Sequence, residues 1–402
     1  MPRLLTLVVG SLTAAALWAA PAAAQESNFV PDAALSVPAL PGWSFTPSLT
    51  YGGAWDDNVL IRGNGDATPA DFVNVVNPRA TLDLNGRRGQ LTATYNGAFL
   101  LYRDLNSLNS YDQRLSFDGR RFLTPRVSVF VRNSAADVPT TELSEFIAVP
   151  FVRTGSRIDD LRTGIEAALT KRTSVVASYD FEWVKFDQTQ PDTATLLGGH
   201  SHGATVTLKH ALTARAALTA TYDVQHAIIG SAGQTFDVQN TWAGGDYKVT
   251  DVTHVFAEAG VSRLAATEIS PARTGPAWRA GVIRQVRAAA VDLLYTRSFV
   301  PSYGFGGTMQ NEEATGRFSV PFSRRVYSTS AVSWRRNDPL TPGELPLQSY
   351  WVEGTLGFAA TRWVHLELFY SGTRQTIEQA GGTFDRNRVG FQITTVKPMR
   401  VQ

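Results

Sequence analysis

Along most of the chain after Trp43, apolar and polar positions alternate with a period of two rather than with helical spacing. Trp43, Phe45, Leu49, Tyr51 and Trp55 share one parity, while Ser44, Thr46, Ser48 and Thr50 take the other. The same alternation returns in Leu91, Ala93, Tyr95, Phe99 and Leu101 against Thr92, Thr94 and Asn96, and in Val175, Ala177, Tyr179, Phe181 and Trp183 against Ser178, Asp180 and Glu182. It recurs in Leu218, Ala220, Tyr222 and Val224, and in Val364, Leu366, Leu368 and Tyr370. Each run predicts a strand with one lipid-like face and one wet face. The segments centre near residues 49, 79, 96, 115, 130, 165, 179, 206, 221, 240, 258, 280, 293, 317, 330, 354, 367 and 391. The predicted fold is therefore all-β, a transmembrane antiparallel up-and-down β-barrel of about eighteen strands, with sixteen as the neighbouring even count.

The links between segments alternate in length. Asn85 to Gly89, Thr124 to Arg126, Thr170 to Thr173, Thr213 to Arg215, Ser323 to Arg325 and Ala360 to Arg362 are short. Asp56 to Asp71, Ala135 to Arg153, Asp187 to Gly199, Leu264 to Thr274 and Arg336 to Gln348 are long. Short periplasmic turns alternating with longer outer loops are the layout of an outer-membrane barrel, and an even strand count puts both ends of the barrel on the periplasmic side. Several turns repeat Leu-Thr-x-Arg, at Leu123 to Arg126, Leu169 to Arg172 and Leu212 to Arg215, which reads as turn chemistry with interfacial cations. The last strand carries Val389, Gly390, Phe391 and Ile393, loosely like the signal read by barrel-assembly machinery, but the chain runs on through Pro398 to Gln402 without a terminal aromatic.

Ahead of the barrel, Arg3, the apolar stretch Leu4 to Trp18 and the small residues Ala22 to Ala24 predict a secretory signal peptide over residues 1–24, cleaved on export. Residues 25–42 read as a flexible periplasmic leader and residues 43–402 as the barrel. Nothing after Gln25 is an apolar helix of membrane length, so membrane residence falls to strands. With 37 basic and 35 acidic residues the chain gives no electrostatic case for nucleic acid, and it has no cysteine for disulfides, lipid attachment or metal. The expected location is the bacterial outer membrane, with its lipid and lipopolysaccharide and the barrel-assembly machinery as partners. No cofactor is expected.

Parity assigns Arg79, Asp83, Asp112, Arg114, Asp180 and Glu182 to the inner face, together with Arg279, Arg317, Glu353, Glu367 and Arg388. Both signs are represented, so strong selectivity for anions or cations is not implied; each of these residues also has a plain reading as a structural ion-pair member. Phe130 and Phe256 share that face. The long link Ala135 to Arg153, apolar at Phe146, Ile147, Val149 and Phe151, is either an inward constriction or an outer loop packed on its neighbours. His200 and His202 have no carboxylate at ligand spacing, so no metal site is expected. No Gly-x-Ser-x-Gly elbow supports an esterase-like site, so the chain reads as a non-enzyme.

The first strand ends in Trp55-Asp56-Asp57-Asn58-Val59, and the second carries Pro78 ahead of Ala80, Leu82 and Leu84. This opening, followed by hairpins with Leu-Thr-x-Arg turns, resembles a porin-like family of outer-membrane β-barrels associated with exopolysaccharide export. Asp-Asp-Asn also suits a turn leaving a strand. The resemblance implies a conduit that secretes an extracellular polysaccharide together with a periplasmic polysaccharide-export protein, with Phe130 and Phe256 stacking on sugar faces. The alternatives are a general diffusion porin for small solutes and, behind it, an outer-membrane enzyme.

Overall fold

The computed structural model describes residues 42–401 apart from 64–67, 141–152, 188–195, 231, 268–269, 287–288, 305, 342–344 and 378–381. The signal-peptide and leader segments lie outside the described residues. The strands are β1 Gly42–Asp56, β2 Asp71–Asn85, β3 Gly89–Tyr102, β4 Ser110–Thr124, β5 Val127–Pro139, β6 Gly155–Ala168, β7 Thr173–Phe186, β8 Gly199–Ala211, β9 Ala216–Ile229 and β10 Gln234–Thr250. They continue as β11 Thr253–Leu264, β12 Arg273–Val286, β13 Ala289–Pro301, β14 Thr308–Pro321, β15 Val326–Pro339, β16 Leu347–Ala359, β17 Val364–Ile377, β18 Gly382–Val396 and β19 Met399–Val401. From β1 to β18 every strand pairs antiparallel with its sequence neighbours, and β1 pairs with β18 from Ser48–Val396 to Asp56–Arg388, which closes the sheet into an eighteen-stranded barrel. Past Pro398 the chain rejoins the wall: β19 pairs with Trp43, Ser44 and Phe45, so the segment beyond the last aromatic lengthens the seam.

Closure follows from the alternation. Most of the exposed large apolar side chains, among them Leu49, Tyr51, Trp55, Val206, Leu218, Leu356, Leu368, Val389 and Phe391, lie on outward parity and form an apolar belt. A wall that is apolar outside, with every ladder hydrogen bond made inside the sheet, satisfies the two demands of lipid.

The short turns hold themselves closed. In the Leu-Thr-x-Arg repeats the threonine hydroxyl accepts backbone N–H groups two or three residues on: Arg126 to Thr124 at 3.1 Å, Arg172 to Thr170 at 3.1 Å, Ala216 to Thr213 at 2.9 Å. Ser323 and Thr361 act alike toward Val326 and Trp363, at 3.0 and 3.1 Å. The preceding Leu123, Leu169 and Leu212 are exposed at the rim of the belt.

The Asp-Asp-Asn run at the end of β1 is a seam clamp. Asp56 and Arg386 of β18 are both buried, and the guanidinium donates from Nη2 at 2.6 Å and from Nε at 2.9 Å to the Asp56 carboxylate. Asn58 donates to the carbonyls of Arg62 and Asp385 at 2.9 and 2.8 Å, and Asp57 accepts from the Asn387 side chain at 2.8 Å. Residues 57–63 are thereby tied across the seam, and Val59 is buried beside Val73, Val75, Leu100 and Phe369. Asp71 does the same for the next loop, accepting from the N–H groups of Asp104 and Leu105 at 3.1 and 2.9 Å.

Breaking the seam pair while leaving one buried charge is costly, so Arg386→Ala is expected to lower the unfolding free energy by about 3–5 kcal/mol, read as a shift of the urea midpoint in lipid vesicles. On the belt, Val206→Arg is expected to cost about 2–4 kcal/mol in the same assay, and Thr207→Arg, one residue along on the inner face, far less.

Candidate functional site: the lumenal wall and an inward hairpin

The registers place every sequence-predicted lumenal residue on the inner parity. Arg79 stands opposite Ser48 and Asn96, and Asp83 accepts the Thr92 hydroxyl at 2.7 Å. Asp112 and Arg114 are buried on β4, with the Ser110 hydroxyl donating to Asp112 at 2.9 Å. Arg279 bonds Glu258 through Nε at 2.7 Å and lies over the Trp242 ring at 5.1 Å. Arg317 faces Asp292, Glu353 faces Ser371, and Arg388 is buried opposite Asp56 at the seam. Glu367 is buried and accepts from the Tyr327 hydroxyl at 2.5 Å and from Gln392. Phe130 lies flat over Gly164 and Phe256 over Gly281, each at a glycine whose Cβ would meet the ring within 2.7 Å and 2.4 Å respectively.

Most of these charges are spread around the wall. Asp180 and Glu182 are brought together, in a lumenal cavity of about 370 Å3 shared with Asp118, Arg132, Asp160, Arg162, Ser201 and Gln225. Arg132 pairs with Asp118 at 2.8 Å and Arg162 with Asp180 at 2.5 Å. Asp160 was not among the predicted residues, because Asp159 and Asp160 are adjacent and point to opposite faces, which hides the parity. His200 and His202 face outward; the Tyr179 hydroxyl meets His202 Nδ1 at 2.6 Å. Among the described residues no group of three or more His, Cys, Asp or Glu side chains is placed to hold a metal.

The long link Ala135 to Arg153 begins as wall, since Ala135 to Pro139 belong to β5, and its apolar residues from Phe146 to Phe151 lie outside the described residues. An inward segment exists elsewhere. Pairing between β12 and β13 stops at Trp278–Arg297, whereas β13 stays paired with β14 up to Pro301–Thr308. The tip of this hairpin leans across the inner wall instead of continuing it. The Phe299 N–H is donated to the Ser262 hydroxyl at 3.2 Å, its carbonyl accepts from Asn240 at 3.4 Å, and Ser262 donates to Asn240 at 2.5 Å. The Phe299 ring lies against Gly275, where a Cβ would come within 2.7 Å of it. Farther round, Gly304 and Leu197 exchange both backbone hydrogen bonds, at 2.7 and 2.9 Å. Gly304, Gly306 and Gly307 have φ of 94°, 93° and 79°, so the tip turns through left-handed backbone that glycine adopts freely.

The wall is prepared for this tip. At the long-loop end the inner positions of neighbouring strands become apolar: Ile158, Val184, Phe186, Ile229, Phe236, Val238 and Leu264 form one buried cluster with Phe299 and Tyr303. Tyr303 lies against Glu182 and Ser201, and burial, reinforced by the Glu182 charge, pushes its hydroxyl far above the ordinary tyrosine range. It remains a neutral donor beside Glu182, which lines the cavity.

No family model and no curated protein matches the chain. Solved structures similar to it include Acinetobacter baumannii OccAB3, with 10% identity over 89% of this chain and 99% of that chain at a TM-score of 0.45. Pseudomonas aeruginosa OpdO gives 11%, 89%, 98% and 0.47, and the siderophore receptor PirA from Pseudomonas aeruginosa gives 10%, 89%, 81% and 0.41.

A side chain at position 275 has to displace the Phe299 ring. Gly275→Val is therefore expected to lift the hairpin tip and raise single-channel conductance while leaving the heat-shifted gel mobility of the folded barrel unchanged.

Proposed function

We propose that this chain is an outer-membrane channel for small solutes whose passage is narrowed by the inward β13–β14 hairpin. The observation that carries the reading is the hairpin's departure from the wall at Arg297 and its seating on Ser262, Asn240 and the apolar inner cluster. A barrel of eighteen strands is wide enough for an aqueous path. A strap across that width limits what passes, and the charged wall below it keeps the path wet. The short turns and both barrel ends then face the periplasm and the hairpin tip faces outward, with the signal peptide over residues 1–24 supplying export.

Polymer secretion, implied by the resemblance, is the weaker reading. A chain of sugars needs accessible stacking surfaces, whereas Phe130 is buried against Gly164 and the hairpin tip occupies the inner side of the wall from Leu197 to β11. The Asp-Asp-Asn run that carries the resemblance has work at the seam. No catalytic constellation is assigned.

The test is a planar-bilayer and liposome-swelling measurement on the refolded barrel. Discrete openings and swelling with monosaccharides, slowing steeply for larger oligosaccharides, are expected. A barrel that stays silent both as wild type and as Gly275→Val would overturn the channel reading.

A further inference from the structure

We infer that the lumenal cavity under Tyr303 is a binding site for small ammonium-bearing solutes, an inference that rests on the channel reading for its role in transport but not for the binding itself. The cavity measures about 370 Å3 and its lining is mixed, with carboxylates, guanidiniums, hydroxyls and amides converging from β3 to β9. Its cations are already engaged: Arg132 holds Asp118 at 2.8 Å and Arg162 holds Asp180 at 2.5 Å. Asp160 and Glu182 stand directly opposite one another on β6 and β7; Arg162 acts on Asp160 and the Tyr303 hydroxyl bonds Glu182, which leaves the four carboxyl groups of the cavity facing two guanidiniums. Two carboxyl groups placed face to face across neighbouring strands do not both ionise cheaply, and a cation arriving from the lumen favours their doubly ionised state.

The surroundings supply further recognition. Gln225 donates to the Ser201 hydroxyl at 2.9 Å, Ser201 also bonds Tyr303, and it faces Glu182 across the β7–β8 pair. Tyr303, from the hairpin tip, bonds the same glutamate behind the cavity lining. The cavity therefore offers two carboxylates to ammonium groups, with a hydroxyl and an amide beside them, in a volume suited to a molecule of a few carbons. Dicarboxylates of the same length meet repulsion from Asp160 and Glu182, with Arg132 and Arg162 already paired.

Putrescine and succinate, both four-carbon and doubly charged, separate the possibilities by sign alone. Isothermal titration of the intact detergent-solubilised barrel is expected to show putrescine binding that weakens about tenfold in Asp160→Asn and again in Glu182→Gln, the loss of one charge-assisted contact each, with no succinate binding. Both substitutions are near-isosteric, and unchanged heat-shifted mobility verifies the fold. Equal putrescine affinity in wild type and both variants, or succinate bound as tightly as putrescine, overturns the site. Putrescine binding in a barrel that never conducts upholds the site and removes the channel, while conduction without putrescine binding removes the site and leaves the channel.

Discussion

Lipid offers no hydrogen-bond partner to the backbone, so a sheet in a membrane has to close, and the rest of this structure depends on where and how it does so. Among the described residues, the seam where β1 meets β18 and β19 is the one wall contact made by strands far apart in sequence. It is reinforced beyond its ladder: the buried Asp56–Arg386 pair, the Asn58 side chain bonded to the Asp385 carbonyl, and the extra pairing of Met399–Val401 with the start of β1 all bridge it. Each contact also serves a neighbouring feature, since the same Asp-Asp-Asn run turns residues 57–63 inward and seats Val59 in a cluster at the long-loop end. Closure and narrowing of the mouth are thus built from the same residues.

How much of this was legible depends on whether a residue's environment follows from its parity. Within the wall it does, because the two faces of each strand meet two solvents, and all eighteen expected centres fall inside observed strands. The inner placement of Arg79, Asp180, Glu182 and Arg388 follows for the same reason. The turns were legible too, since Leu-Thr-x-Arg carries its own hydrogen bond from backbone N–H to the threonine hydroxyl.

Parity fails where the chain leaves the wall. Phe299 has the parity of an outward residue, but the hairpin tip bends inward and presents that face to the inner side of β10 to β12, where the ring is buried. A period of two cannot report such a bend. A trace of it remains in the composition: Phe236 and Val238, or Val184 and Phe186, are apolar at inner positions near the long-loop end, where water alone would favour polar side chains. Read together with the glycines around Tyr303, that change of inner-face character marks which end of the lumen receives a folded segment. Asp159 and Asp160 mislead differently, since two adjacent carboxylates give no hint which one faces the lumen.

The hairpin also has to settle its own hydrogen bonds. Leaving β12 at Arg297 removes ladder partners from the tip, and an unpaired buried backbone group costs about as much as a lost hydrogen bond, roughly 1–3 kcal/mol. The inner wall supplies replacements at the required places: Ser262 for the Phe299 N–H, Asn240 for its carbonyl, and the backbone of Leu197 for both groups of Gly304. Ser262 and Asn240 stand opposite each other on β11 and β10, while Leu197 lies just ahead of β8, so the strap is held at two spaced points rather than along a continuous ladder. An apolar patch with a few polar anchors favours one seated position yet breaks without unravelling any strand, because β13 and β14 keep their mutual pairing throughout. Seating thus leaves the β13–β14 ladder intact while β12 gives up its outer partners beyond Trp278.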